Sequence, residues 1–168
     1  SADTNWLPVE YVRQQVGWSG VAELITLAGQ DGVDAGLQEV LNLTGDNFDA
    51  RWQEFWRNRL TAAQTNLDRL LQTRMDTVLA ANLAGFLATV DSQVPLLRTE
   101  QEHWFAAAAA NGLTSYNLIG TPIALLDNGN MLAELSVVYE TSELGNGNLN
   151  QEVLLTVQGS TLRWADVP

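Results

Sequence analysis

The stretch from Asp46 to Gly85 constrains the fold most, because neither glycine nor proline occurs between these two residues. Its apolar residues recur at steps of three or four, which is the spacing of one face of an α-helix. They are Phe48, Trp52, Phe55, Trp56, Leu60, Ala63, Leu67, Leu70, Leu71, Met75, Val78 and Leu79. The pattern predicts one helix of about 34 residues, roughly 50 Å long. Since such a helix is too long for one small core, we expect it to join two packing regions. The alternative is a helix broken near Thr61 or Thr65.

The first 45 residues are predicted to form three short helices separated by glycines. Val9–Val16 is followed by Gly17, and Val21–Ala28 is followed by Gly29. Glycine just after the last helical turn is a common C-terminal stop. Asp34 is expected to open the third helix, since an acidic residue suits the positive end of a helix.

Two more helices are predicted after the long one. A short helix covers about Asn82–Val90, and Asp91–Pro95 is expected to be a loop. The sequence Thr99–Glu102 matches a capping box, in which a threonine hydroxyl and a glutamate carboxylate satisfy backbone amides at the start of a helix. The helix that it opens is predicted to end at Asn111-Gly112.

The chain after Gly112 is predicted to be β-structure. The expected strands are Tyr116–Ile119, Pro122–Leu126, 131–140, Gln151–Val157 and Thr161–Ala165. From Met131 to Tyr139 apolar residues alternate with a mixed set, as in a sheet that helices cover on one face. The segment Asp127–Asn130 predicts a tight hairpin, because Asn-Gly accepts the positive φ angles of a type I′ turn. Gly145–Asn148 is expected to be a second connection. Helices followed by an antiparallel meander define an α+β protein.

The charge of the chain excludes several classes of partner. There are 20 acidic residues against eight basic ones, all arginine, and the net charge is −12. Such a surface repels phosphate backbones and anionic lipid, so we expect neither a nucleic-acid partner nor binding to a membrane surface. No apolar run approaches the ~20 residues that span a bilayer, so we expect a soluble protein without membrane insertion.

The inventory of reactive residues argues against metal, thiol and Ser-His catalysis. The chain has no cysteine, and its single histidine, His103, is explained by a helical ion pair with Glu100. A metal site usually needs three or four convergent ligands. The carboxylate pairs Asp46/Asp49 and Glu100/Glu102 lie at predicted helix starts, where they complement the helix dipole. We therefore predict no catalytic residue, no metal site and no cofactor.

Residues 61–168 resemble the nuclear transport factor 2-like superfamily, whose fold is the cystatin-like α+β cone. The resemblance rests on Leu67–Val90, on the helix around Glu102–Phe105, and on the late strands that end at Leu162–Trp164. It implies a long helix and two shorter ones in the concave face of a curved antiparallel sheet. Members of the superfamily bind small molecules, or perform isomerase and dehydratase chemistry with an Asp, His or Tyr inside the cone.

The same resemblance implies candidates for the lining of a cavity. Trp104 and Trp164 are the aromatic candidates, and Tyr116, Tyr139 and Asp76 are conceivable polar ones. Nothing in their spacing selects any of them.

Residues 8–60 are similar to the C-terminal helical part of gluzincin metallopeptidases of the peptidase MA-like type. The matching segments are Tyr11–Trp18, Leu37–Leu43 and Phe48–Leu60, whereas the His-Glu-x-x-His helix of that family is absent. The resemblance implies that residues 1–60 are a helical collar, the tail of a metallopeptidase domain, and that a cone domain follows at 61–168. It further implies an upstream peptidase domain of the same protein as partner, and an extracytoplasmic location.

An aromatic stripe on the long helix bears on self-association. Trp52 and Trp56 lie four residues apart with Phe55 beside them. Core packing is the usual role of such residues. If the collar instead evolved to pack against a missing body, some of Trp6, Trp18, Trp52, Phe55 and Trp56 are expected to be exposed, or to be covered by a second copy in a homodimer.

Three functions remain open from the sequence. The first is a non-catalytic accessory or interaction module, the C-terminal part of a larger peptidase-like protein. The second is a small-molecule-binding or isomerase-like cone domain, and the third is a homodimerisation domain. A closed cavity with a polar lining would favour the second function, whereas a solid apolar interior would favour the first.

Overall fold

The computed structural model describes residues 7–126 and 129–166. The elements in these ranges are α1 (Leu7–Asp31), α2 (Val33–Leu41), α3 (Gly45–Leu79), α4 (Leu83–Leu87), α5 (Pro95–Ala110), β1 (Leu113–Leu125), β2 (Met131–Thr141), β3 (Gly145–Gln158) and β4 (Thr161–Asp166). Helices precede an antiparallel sheet, so the predicted α+β class is confirmed. The chain divides into two compact units, Ser1–Arg59 and Leu60–Pro168, here named the helical unit and the sheet unit.

The long helix predicted from Asp46 to about Ala80 is confirmed. Helix α3 runs without interruption from Gly45 to Leu79, so it breaks at neither Thr61 nor Thr65. It stops because Ala81 adopts a left-handed backbone conformation with φ of 52°. The amide of Asn82 then donates to the carbonyl of Thr77 at 2.8 Å, which closes the helix as in a Schellman motif.

The three short helices predicted before α3 are merged into two. Gly17, with φ of 71° and ψ of −178°, is the one non-helical residue within α1, so it separates two helical segments without an intervening loop. Gly29 does not end the second segment, which continues to Asp31. Gly32 stops it instead, since its φ of 94° lies in a region that favours glycine. Helix α2 then begins at Val33, with Asp34 in its first turn.

The predicted bounds of the two helices that follow α3 are wrong. Helix α5 begins at Pro95 rather than Thr99, because proline is well suited to the first helical position. The Thr99 hydroxyl therefore does not cap a helix, and it donates to the carbonyl of Pro95 at 3.2 Å. Helix α4 ends at Leu87, and the chain that follows pairs with β4: the amide of Asp91 donates to the carbonyl of Trp164 at 2.8 Å.

The four strands form one antiparallel meander in the order β1-β2-β3-β4. The two runs predicted before the first hairpin are one strand, β1, with an irregularity between Pro122 and Ala124. Gly145–Asn148 is not a connection either, because these residues pair with β2 from Thr141 to Val138. The type I′ turn predicted for Asp127–Asn130 includes two residues, 127 and 128, that lie outside the described residues.

The core of the sheet unit lies between one face of the sheet and the helices. Met131, Ala133, Leu135 and Val137 alternate along β2 and are buried, as the sequence pattern predicted. They belong to one cluster with α3 and α4 side chains, among which the most buried are Leu67, Leu71 and Phe86. Within the described ranges, none of the helices combines the length and the apolar character that crossing a membrane requires.

Candidate ligand-binding cavity

A cavity of about 180 Å³ lies in the sheet unit, between its helices and the inner face of the sheet. We name it the Arg74 cavity. Its lining residues are Arg74 of α3, Gln101 and Trp104 of α5, Tyr116 of β1, Val137 and Tyr139 of β2, Leu149 and Gln151 of β3, and Trp164 of β4. Because five of these nine side chains are polar or carry a phenol, the cavity is a mixed surface rather than a packing defect in the apolar core.

Four of the five cavity candidates from the sequence line the Arg74 cavity, namely Trp104, Trp164, Tyr116 and Tyr139. Tyr116 and Tyr139 are brought together by the sheet, since they are directly paired between β1 and β2. Trp104 packs on Tyr116 with ring centroids 5.2 Å apart, and it stacks on the buried ring of Phe86 at 5.5 Å. Aromatic contacts at these distances hold the rings in fixed positions. The wall formed by Trp104 and Tyr116 is therefore preorganised.

Arg74 is the only charged residue in this lining, and it is almost completely buried, with 1% of its surface exposed. Its guanidinium carbon lies 4.3 Å from the ring centroid of Phe86 and 4.3 Å from that of Trp164. The electron-rich faces of aromatic rings attract a cation most strongly where water is excluded. The two rings thus fix the guanidinium group at the wall of the cavity.

The hydrogen-bond partners of Arg74 are neutral. Its two terminal nitrogens donate to the hydroxyl of Thr89 at 2.7 Å and to Oε1 of Gln101 at 2.5 Å. Nε is buried and has no hydrogen-bond partner among the described residues. Likewise, no carboxylate in the part of the chain that the structure describes forms an ion pair with Arg74. Burial without a negative partner lowers the pKa of Arg74 to about 10, so the group still carries its charge at neutral pH.

The phenol of Tyr116 lies next to this guanidinium. Burial raises the pKa of Tyr116, and the positive charge of the neighbouring Arg74 opposes the rise. A phenol whose pKa lies above 10 keeps its proton at neutral pH, so Tyr116 does not neutralise Arg74. No described residue of the cavity lining therefore compensates the positive charge of Arg74.

The position of Tyr139 depends on a glycine in the neighbouring strand. Tyr139 pairs with Gly147 of β3, and a Cβ atom at position 147 would overlap the phenol ring. The ring lies across the backbone of β3, because only glycine leaves space for it there. Gln151 and Leu149 continue this strand as lining residues, opposite Leu135 and Val137 respectively.

The remaining candidates from the sequence lie away from the cavity. His103 is exposed on α5, and Asp76 is exposed on α3, where its carboxylate accepts a hydrogen bond from Gln72 at 2.8 Å. The four carboxylates of the two predicted pairs, Asp46, Asp49, Glu100 and Glu102, are exposed as well. Within residues 7–126 and 129–166, no group of three His, Cys, Asp or Glu side chains could hold a metal ion.

Sequence reasoning missed Arg74, Gln101 and Gln151. A signal for Arg74 was present, since it follows Leu70 by four residues and precedes Val78 by four, in the apolar stripe of α3. A charged residue on the buried face of a helix is rare, because its burial is costly unless another group pairs with it or forms hydrogen bonds to it. A cavity position for Gln151 could not be inferred from the sequence, because the face of the sheet on which this residue lies depends on the register of β3 with β2.

Comparison with known proteins gives little to add to this geometry. No protein-family model matches the chain, and no curated protein matches it. Among solved structures, that of Aln2 from a Streptomyces species is similar at a TM-score of 0.47 and 14% sequence identity. The match covers 60% of this chain and 85% of Aln2. A likeness at this level supports no inference about a ligand or an activity.

Proposed function

We propose that the sheet unit is a small-molecule-binding domain of the nuclear transport factor 2-like cone type, which takes a small organic anion into the Arg74 cavity. The observation that carries this proposal is the buried guanidinium group at the cavity wall, whose described partners are all neutral. Taking a charge out of water costs several kcal/mol unless it is paired. An anionic ligand would supply the missing partner.

The lining of the cavity supports binding rather than turnover. Besides Arg74, the ionisable lining residues are Tyr116 and Tyr139. Since burial raises its pKa from an ordinary value that is already well above neutral, the phenol of Tyr116 keeps its proton at pH 7 and is a hydrogen-bond donor rather than a base. A donor next to a fixed cation suits the recognition of an oxyanion.

Binding can be tested by NMR, because Trp104 and Trp164 both line the cavity and each gives an indole N–H signal. We expect small organic acids to shift these two signals in the full chain, and to leave those of Trp18 and Trp52 in place. Arg74→Met should abolish the shifts. Arg69→Met is the matched control, since Arg69 is an exposed arginine on the same helix. A panel of small acids that moves neither Trp104 nor Trp164 would contradict the proposed function.

An apolar groove in the helical unit supports a second function, that of an interaction module. The groove holds about 330 Å³, and it is lined mainly by aliphatic residues of α1 and α2. Two of these, Ile25 and Val33, are 65% and 62% exposed. The charged residues of the lining, Asp34 and Asp49, are both acidic. We propose that the occupant is an amphipathic helix with basic flanks, since such a helix would complement both the apolar floor and the acidic rim.

Because residues 8–60 resemble a metallopeptidase tail, we propose an upstream peptidase domain of the same protein as one source of that helix. A synthetic leucine-faced helix with lysine flanks should bind the chain, whereas the same helix with glutamate flanks should not. Ile25→Ser should weaken binding of the lysine peptide, and Leu144→Ser should not, because Leu144 is an exposed leucine of the sheet unit. Equal binding of both peptides would contradict the proposal, as would a chain that self-associates and binds neither.

A further inference from the structure

We infer that the ligand of the Arg74 cavity is a monocarboxylic acid with a flat, apolar body. This inference rests on the proposed function and specifies the ligand class. It comes from three features of the lining: the number of cations, the arrangement of donors, and the shape of the apolar wall.

The number of cations limits the charge of the ligand. Arg74 is the single charged residue among the nine lining residues. A carboxylate neutralises one guanidinium, whereas a phosphate dianion would bring a second negative charge into the same buried space without a partner. The charge of the cavity therefore selects a monoanion.

The donors around Arg74 match a carboxylate. Gln101 accepts the hydrogen bond from Arg74 through Oε1, which leaves its Nε2 amide hydrogens as donors. The phenol of Tyr116 lies next to the same guanidinium. A planar guanidinium flanked by an amide and a phenol offers several N–H and O–H groups to two carboxylate oxygens. A neutral amide ligand would bring its own N–H groups against these donors.

The rest of the wall favours a flat body. Trp104, Trp164 and Tyr139 contribute aromatic rings, and Val137 and Leu149 contribute aliphatic groups. Aromatic ligands stack on such rings with a gain beyond area burial. A cavity of about 180 Å³ is smaller than those that hold drug-sized molecules, so we expect a body of about one ring.

The test compares benzoate, benzamide, cyclohexanecarboxylate and inorganic phosphate by calorimetric titration of the full chain. We expect benzoate to bind about 10- to 100-fold more tightly than benzamide, the loss that removal of a charge-assisted hydrogen bond causes. Cyclohexanecarboxylate should bind more weakly than benzoate, and phosphate should not displace it. In Arg74→Met the preference for benzoate over benzamide should disappear, and in Arg69→Met it should remain.

The outcomes separate this inference from the proposed function. Binding of benzamide as tight as that of benzoate would contradict the inference that the ligand is a carboxylic acid, although the cavity would still be a small-molecule site. Preference for phosphate over benzoate would rule out a carboxylic acid with an apolar body, and preference for cyclohexanecarboxylate would rule out a flat body. Failure of all four probes to shift the Trp104 and Trp164 signals would overturn both the inference and the proposed function.

Discussion

Tyr139 lies over Gly147, its direct partner across β2 and β3, and no side chain fits beneath its ring. One wall of the Arg74 cavity therefore depends on the absence of a Cβ atom. A methyl group at position 147 must displace the phenol, because the atoms that it meets belong to the ring itself.

We expect Gly147→Ala to destabilise the protein by about 1–3 kcal/mol, as overpacking of a close contact does. Ligand binding should weaken several-fold, because the displaced ring leaves or fills the cavity. Urea denaturation and benzoate titration measure the two effects. Gly29→Ala is the control, since Gly29 lies within α1 with open space around it, and alanine there should stabilise by about 0.5–1 kcal/mol. Unchanged binding in Gly147→Ala would contradict a role for Tyr139 in the wall.

Replacement of Arg74 is expected to separate stability from binding. Lowering of its pKa from 12.5 to about 10, for which burial is the main cause, corresponds to a net cost of about 3 kcal/mol for keeping the charge in the folded protein. Arg74→Met removes this cost, but it also removes the contacts with Phe86 and Trp164 and two hydrogen bonds. The free energy of unfolding should therefore stay within about 1 kcal/mol of the wild type, while binding of benzoate is lost. A loss of stability above about 3 kcal/mol would show that Arg74 mainly holds the fold together.

The sequence predicted the helix α3 and the apolar face of β2 well, because both depend on local periodicity. It also named the four aromatic residues of the cavity, although only through a resemblance. It predicted the wrong bounds where a local signal competed with tertiary structure. The glycines and asparagines of Gly145–Asn148 favour a turn, yet these residues form a strand because their backbone pairs with β2. Arg74 and Gln151 line the same cavity only because α3 packs on the sheet. No spacing along the chain could have predicted that they lie in one site.

The stability of the helical unit should depend on pH through Glu10. Hydrogen bonds from Arg13, at 2.6 Å, are the main reason that the pKa of Glu10 is lowered from 4.5 to about 2, and Arg59 lies 3.7 Å away. Since the folded state holds this proton less tightly than the unfolded state, the stabilisation is complete above about pH 4.5. It is lost as the pH falls through about 2.

Glu10→Gln should therefore lower the free energy of unfolding at pH 7 by about 0.5–1 kcal/mol, which is typical of a partly exposed ion pair. The difference from the wild type should disappear near pH 2. Glu23→Gln, at an exposed position of the same helix, is the control and should change little at either pH. Urea titrations at the two pH values measure this. A Glu10→Gln effect that is equally large at pH 2 would rule out the ion pair as its cause.

Self-association of the helical unit stays a prediction of the sequence. Trp18 is 68% exposed, whereas Trp52, Phe55 and Trp56 are half-buried, and Trp6 lies outside the described residues. Half-buried aromatic residues leave apolar surface that a second copy can cover, but the net charge of −12 opposes the approach of two identical chains. We therefore expect a weak dimer that appears only at high protein concentration and becomes stronger as salt screens the repulsion.

Sedimentation of the wild type at low and at high salt, over a series of concentrations, tests this expectation. Trp52→Ser and Trp56→Ser should weaken the dimer if it forms through the stripe of Trp52, Phe55 and Trp56. Trp18→Ser is the matched control, because Trp18 is the more exposed residue but belongs to α1 rather than to the stripe. A dimer that only Trp18→Ser disrupts would move the interface to α1. A wild type that stays monomeric at every concentration and salt would exclude the homodimer, and the exposed apolar surface of the helical unit would then be available only to a different partner.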